Sequence, residues 1–403
     1  MKKNGINLEL VKKENRSLIL KCINANGPMS RKDIADLTHL TAASVTQITT
    51  KLINENILTE LGSVSESTGL KGRKKVLLDI DYDKKIICAI NIDTQKTTIA
   101  ICNLNGELVT DSHNNPSIRE YKTQRKLKPE LFLHDICQET LGLFQSLSSA
   151  CREKLSCISV SVPGIIDRES GIAQKAYSLW DQPVPVKDIL SDEFHLNVPI
   201  LVSNSVNAFA TAEILFGAGK QYDSLLVIKW GPELESTIVV DSVVYEGRHG
   251  KTAELGHFIV EKDGPLCSCG RKGCLKSYVS SSYLADILKI SDFRPEDFGS
   301  CYKKADISSQ KRIDQIMDYF AESIVNACAI IVPDRIVLAG SLFKDRFIRD
   351  KLIDACKSYD PAYDNNRLIY SAIAGRESYI GPAAVYIASA LLGSSPVSPL
   401  SLF

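Results

Sequence analysis

No apolar run in this 403-residue chain approaches the ~18 residues needed to cross a bilayer, which excludes a transmembrane helix. The opening stretch, MKKNGINLELVKKEN, has no apolar segment after its lysines that could act as a secretory signal, so a cytoplasmic location is expected. Net charge is missing as well. The 48 Lys and Arg balance 48 Asp and Glu, which at face value argues against a nucleic-acid partner. Disulfide-like spacing is also lacking: nine of the 12 cysteines, Cys88, Cys102 and Cys328 among them, lie scattered in apolar contexts where a reduced thiol packs as a small hydrophobe. What is present is ordinary globular material, 44% hydrophobic and 24% charged, in a chain long enough for two or three domains.

The zero balance hides an asymmetry. Residues 1–80 carry 13 Lys/Arg against 8 Asp/Glu, an excess of five positive charges, and the rest of the chain carries the matching negative excess. This head reads as three helices and a hairpin. Leu18, Ile19, Cys22 and Ile23 keep a helical spacing that stops at Asn26-Gly27-Pro28. Ser30-Arg31-Lys32-Asp33 has the form of a capping box for a second helix through Ile34, Ala35 and Leu37. Thr41 caps a third, with Val45, Ile48, Leu52 and Ile53 facing inward and the small neutral residues Ala43, Ser44, Gln47 and Thr50 on the other side. Two short helices around a tight turn, the second presenting small hydrogen-bonding side chains, make a helix-turn-helix fit for the major groove. Two strands follow, around Ile57–Leu61 and Lys75–Ile80. Between them Lys71, Gly72, Arg73 and Lys74 form a basic wing able to approach a phosphate backbone or a minor groove. The bland alternative is a plain three-helix domain with a charged hairpin. Cap, turn, polar third helix and basic wing together favour DNA binding.

From Ile86 onward strands and helices alternate, which argues an α/β body of two lobes with a cleft between them. Strands are expected at Ile86–Ile92, Thr97–Cys102, Cys157–Val162, near Pro199–Val202, Leu225–Lys229 and Ser236–Val244, and helices at Leu131–Leu147 and Asn207–Phe216. The sharpest local feature is Glu254-Leu255-Gly256-His257 followed by Cys267-Ser268-Cys269-Gly270-Arg271-Lys272-Gly273-Cys274. His257, Cys267, Cys269 and Cys274 lie within eighteen residues in a glycine-rich loop. Three thiolates and one imidazole make a closed, structural zinc site, with packed cysteines and a core histidine as the alternative.

The E-x-G-H and C-x-C-G-x-x-G-C patterns resemble the ROK family of repressors and sugar kinases, and residues 16–80 resemble the winged helix-turn-helix of its repressors. Ser161–Gly164, Leu179-Trp180, Val337–Gly340 and Gly381–Ala384 fall where that family's body has its loops. The resemblance implies an α/β, actin-like (ribonuclease H-like) two-lobed body of the ATPase type preceded by an α+β winged helix-turn-helix. Its expected parts are the head at 1–80, a first lobe at 81–200 completed by a C-terminal helix at 376–403, and a second lobe at 201–375 with the zinc loop. It also implies a homodimer, or a dimer of dimers, on double-stranded operator DNA. A sugar or sugar-derivative effector would sit in the cleft, where Asn204, Glu254 and His257 match its sugar-facing residues.

The kinase side of the resemblance fits poorly. The D-x-G-G-T loop reads Asn91-Ile92-Asp93-Thr94-Gln95, and the G-T-G-x-G-x-G loop reads Gly231-Pro232-Glu233-Leu234-Glu235-Ser236-Thr237, with two carboxylates placed to repel ATP phosphates. The catalytic Asn-Asp reads Asn204-Ser205, and a serine hydroxyl is no base. The second sugar-binding glutamate is Lys276, pointing to an acidic or phosphorylated ligand, to no sugar at all, or to a solvated helix residue. Trp180 could stack on a sugar ring or belong to the core. The expected function is a transcriptional regulator of carbohydrate metabolism, a repressor with zinc and without ATP. The rivals are an ATP-dependent sugar kinase with a regulatory head and a regulator that answers to a protein partner.

Overall fold

A computed structural model describes residues 8–64, 75–176, 178–247, 253–360, 365–373 and 375–392. The head begins with α1 (Leu8–Asn26), ended by Gly27 at φ 80°. A two-residue strand β1 (Met29–Ser30), which sequence reasoning did not foresee, leads into α2 (Arg31–Thr38) and α3 (Ala42–Asn54). β2 (Leu58–Val64) and β3 (Lys75–Ile80) pair antiparallel, and β3 also pairs with β1, so the sheet order is β1-β3-β2. Two residues carry no periodicity, which is why β1 left no trace in the pattern.

The body repeats one topology twice. In the first lobe β4 (Ile86–Ile92), β5 (Lys96–Asn103) and β6 (Ile118–Lys122) form an antiparallel meander. α4 (Pro129–Gln145) and α5 (Ser149–Arg152) then cross to β7 (Leu155–Val162), parallel to β4. The small hairpin β8 (Ile165–Asp167) and β9 (Ile172–Lys175) and helix α6 (Val186–Phe194) lead to β10 (Ile200–Asn204), parallel to β7. The second lobe opens with α7 (Ser205–Phe216) and the meander β11 (Leu225–Trp230), β12 (Leu234–Val240) and β13 (Val243–Val244). One strand was expected across Ser236–Val244. Asp241 and Ser242, both at positive φ (51° and 57°), instead fold it into a tight hairpin. Helices α8 (Leu275–Val279), α9 (Ser281–Leu288), α10 (Phe298–Lys304) and α11 (Ile307–Ile331) precede β14 (Arg335–Ala339). α12 (Arg346–Tyr359) separates it from β15 (Leu368–Tyr370), and α13 (Ile380–Leu392) closes the described chain. The sheet orders β10-β7-β4-β5-β6 and β13-β12-β11-β14-β15 are therefore equivalent. The C-terminal helix begins at Ile380 rather than 376, since Arg376 and Tyr379 belong to the preceding turn.

Each sheet buries its outer face under its own helices, giving one core per lobe. A third core lies between the sheets, where α7 and α13 pack on each other, α13 also on β4 and α7 also on β12. It runs on into the head through Ile19, Leu20 and Ile23 of α1, all fully buried. Asn24 adds a hydrogen bond to the Leu215 carbonyl of α7 at 2.7 Å. Head and body thus share apolar contacts. Among the described residues no helix is long and apolar enough to cross a membrane.

Candidate functional sites

The head's second helix starts on the capping box read from sequence: Ser30 Oγ accepts from Asp33 N at 3.2 Å, and the Asp33 carboxylate accepts from Ser30 N at 3.3 Å. The Ser30 hydroxyl donates to the same carboxylate and holds Asp33 below the usual carboxyl range. Thr41 Oγ1 caps α3 by accepting from Ser44 N at 3.2 Å. Val45, Thr49 and Leu52 are buried, with Ile48 and Ile53 packed beside them. Ala43, Gln47 and Thr50 stand exposed on the opposite face. Ser44 is only half exposed and receives the Thr41 hydroxyl at 2.9 Å, so it belongs to the cap as much as to the reading face. Thr46 is exposed between Ala43 and Thr50, and sequence reasoning passed over it although the i+3/i+4 spacing marks that stripe. Arg31 turns inward, donating to Thr49 Oγ1 at 3.1 Å and to Glu60 at 3.0 Å, and so ties α2, α3 and β2 together. Lys71, Gly72, Arg73 and Lys74 lie outside the described residues.

The donor atoms of His257, Cys267, Cys269 and Cys274 all lie within 4.8 Å of one another. Cys267 Sγ is 3.6 Å from His257 Nδ1, and Cys269 Sγ is 3.7 Å from Cys274 Sγ. A tetrahedral zinc with bonds of about 2.3 Å to sulfur and 2.0 Å to nitrogen requires roughly 3.6 Å and 3.8 Å for such pairs. Donor set and spacing both fit the ion. The loop is shaped by its backbone: Cys267 N reaches Arg271 O at 2.8 Å, and Val260 N reaches Gly273 O at 2.9 Å. Gly273, at φ 73°, passes so close to Glu261 that a Cβ would lie 1.6 Å from its carbonyl oxygen. Burial first, then Lys276 and Arg271, push the imidazole of His257 down to about 4, so its lone pair is free of a proton at neutral pH. Burial would raise the Cys269 thiol, but hydrogen bonds from Arg271 overcome this and bring it down to about 7. Burial and the neighbouring Cys267 push Cys274 up to about 12. A cation of charge two would hold all three as thiolates.

His257 links this cluster to the cleft. Its Nδ1 faces Cys267, while its Nε2 lies 3.6 Å from Glu254 Oε2. Asn204, Glu254 and His257 line one small cavity together with Gly164 and Lys276. Asn204 also has a structural part: its Oδ1 caps α7 by accepting from Asn207 N at 3.0 Å, and its Nδ2 donates to Gly164 O at 2.5 Å. Its amide is thus already engaged in positioning α7. Trp180 is buried edge-on against Phe132, ring centroids 6.3 Å apart, and belongs to the first lobe's core.

Lys276 is no solvated helix residue. Its side chain is 12% exposed, and its Nζ meets Glu233 Oε2 at 2.5 Å. The carboxylates expected to repel phosphates are consumed internally. Glu233 Oε1 also accepts from Ser178 Oγ of the first lobe at 3.2 Å, and Glu235 accepts from Ser205 Oγ at 3.0 Å. Lys229 Nζ stands 3.9 Å from Asp93 across the cleft. Burial alone would lower the Lys229 pKa, yet Asp93 and Glu235 outweigh it and raise it. Burial raises the Glu235 pKa despite Lys229 and Lys276 nearby. Beside this network lies an open cavity of about 500 Å³ bounded by Asp93, Lys229, Gly231 and Gly340, where the Gly340 amide already donates to Glu377 at 3.4 Å. The sequence marked each charge but not its partner, because the partners lie up to 136 positions apart on different elements.

Known proteins resemble the chain along nearly its whole length. The ROK family pattern matches residues 87–385, and a winged helix-turn-helix DNA-binding pattern matches residues 13–59. A xylose repressor of Caldicellulosiruptor bescii is 27% identical over 405 residues, covering 96% of this chain and 98% of its own. A solved ROK family transcriptional regulator, described as a homolog of the E. coli MLC protein, has 24% identity and a TM-score of 0.76 over 95% of this chain and 97% of its own. A ROK hexokinase of Thermus thermophilus superimposes at TM-score 0.59 with 18% identity, over 74% of this chain and 97% of the enzyme. The hexokinase covers less of this chain than the regulator does.

Proposed function

The chain belongs to the ROK family, and from that premise we propose that it is a transcriptional repressor of carbohydrate-metabolism genes, released from or tightened on its operator by a sugar or sugar-derivative effector in the cleft. The observation that carries this reading is the fusion of a helix-turn-helix, with its small neutral face exposed, to a ROK body whose phosphate-loop positions are tied up in internal ion pairs. The same network argues against kinase activity, since Ser205 stands where a base is needed and donates its proton to Glu235. A homodimer would set two heads at the spacing of a palindromic operator. Ala43, Gln47 and Thr50, with Ser44 at the edge, would meet base edges, and Lys71, Arg73 and Lys74 the backbone. Zinc on His257, Cys267, Cys269 and Cys274 would be structural, holding the loop that presents His257 and Lys276 to the cleft.

Coupling follows from α1. Because it packs on α7 and α13, between the two sheets, a ligand that changes how the lobes meet also changes what supports the head. Differential affinity of the effector for the two arrangements then becomes differential affinity for DNA. The test is binding of the full chain to the duplex upstream of its own gene, followed by fluorescence anisotropy while salt rises. Affinity should fall by a factor on the order of 10³ between roughly 50 and 200 mM salt, and a scrambled duplex should bind more weakly. Affinity indifferent to both salt and sequence would sink the proposal. Incubation with ATP, magnesium and a panel of sugars should give no turnover.

A further inference from the structure

The loop that gathers His257, Cys267, Cys269 and Cys274 is held at a second point, by side chains that are none of the four donors. Glu261 stands between His257 and Cys267, and its backbone closes the loop: its carbonyl accepts from Gly264 N at 3.1 Å, and its N–H reaches Gly273 O, next to Cys274, at 3.4 Å. The side chain of Glu261 meets α8 and α11. Its Oε2 accepts from the Tyr278 hydroxyl at 2.6 Å and lies 3.7 Å from Nη2 of Arg312. Tyr278 follows Cys274 on α8, and Arg312 comes from α11. A Cβ on Gly264 would lie 2.0 Å from the Tyr278 hydroxyl, so the loop passes directly against that oxygen.

Each partner of Glu261 is itself fixed. The Tyr278 ring is fully buried, edge-on to Tyr283 and Tyr319 with centroids 5.6 and 5.8 Å away, and the Arg312 guanidinium lies 5.2 Å from its centre. Arg312 also donates to the Tyr283 hydroxyl at 3.1 Å and to Gln315 Oε1 at 2.6 Å. The Glu261 side chain is 44% exposed, and an ion pair so open to water adds little to global stability, so what the arrangement provides is position. We infer that Glu261, Tyr278 and Arg312 are positioning residues for zinc: they hold the two arms of the loop, one bearing His257 and the other the cysteines, at their bound separation before the ion arrives. This rests on the zinc reading above. Four donors on a slack loop would have to be ordered at the moment of binding, and that entropy would be subtracted from affinity. A loop ordered by its own side chains avoids the loss.

The experiment is competition for zinc between the full chain and a chromogenic chelator. Tyr278→Phe, which keeps the ring and removes only the hydroxyl, and Arg312→Met should each weaken zinc binding about 10- to 100-fold, the effect of residues that orient metal ligands without touching the metal. Glu261→Ala should do at least as much, and Tyr278→Phe added to it should change little more, because both act through one carboxylate. Glu261→Gln, which keeps an acceptor for the phenol, should recover part of the loss. Lys351→Met is the control: it breaks a comparable pair with Asp314 of the same helix α11, at 2.7 Å, and should leave zinc affinity unchanged. Wild-type affinity in Tyr278→Phe and Arg312→Met overturns the inference and leaves the zinc reading in place. So does a loss in Lys351→Met equal to theirs, which would mark a general loosening of α11. A wild-type chain that takes up no zinc at all brings the zinc reading down with the inference.

Discussion

On α3 the side chains of Ala43, Thr46, Gln47 and Thr50 are turned out to solvent, whereas in the cleft Asp93, Lys229, Glu233, Glu235 and Lys276 are turned on one another. The first surface is small, neutral and open to a partner that brings its own charge. The second is charged, and its charges are met from within. Changes to α3 should therefore move affinity and leave stability alone, and changes to the cleft should do the reverse.

The largest effect is expected at the proposed zinc site of His257, Cys267, Cys269 and Cys274. Stripping zinc, or Cys274→Ser, should cost several and up to about 10 kcal/mol, read as a fall in calorimetric Tm that tracks zinc content. In the stripped protein, the depressed His257 pKa predicts stability that is full above about pH 6.5 and lost as pH falls toward about 4, because the unfolded chain binds a proton that the buried imidazole does not. His257→Gln should flatten that decline. Next comes Lys229→Met, which takes the cation from Asp93 and one of the two cations beside the buried Glu235, and should cost about 3 kcal/mol in denaturant unfolding.

Affinity should fall when the open face is charged. Gln47→Glu with Thr50→Glu sets two carboxylates against phosphates and base acceptors, and should weaken operator binding by about 2–3 kcal/mol while unfolding shifts by less than ~1 kcal/mol. An equal loss of stability would erase the contrast between the regions. Arg31→Ala gives the smallest and sharpest test. It is a head residue that donates from Nε to Thr49 and from Nη2 to Glu60, so its removal should cost about 1 kcal/mol of stability with little loss of affinity. If affinity falls further than stability, Arg31 also reads DNA.

Short-range features were legible in the sequence for a physical reason. The capping box at Ser30 and Asp33, the cap at Thr41 and the cysteine–histidine loop depend on residues within about twenty positions of one another, so their spacing carries the geometry. The alternation that marks the two lobes is equally local. The tight turn at Asp241-Ser242 was missed because it interrupts an apolar run with residues that also suit strand ends. Lys276 was the hardest residue to place. Its neighbours on α8 say nothing of Glu233, which arrives from the turn between β11 and β12, and only the assembled fold turns a stray cation into half of a pair.

Ile19, Leu20 and Ile23 have a further consequence for how such chains can be recombined. A reading head grafted from another repressor would bring its own α3 and wing, but it would meet α7 and α13 with the wrong apolar surface unless α1 were matched to them. Operator preference can therefore be exchanged by altering the outward stripe of α3 alone, while whole-head chimaeras must carry their junction helix and its two partners as one heritable block.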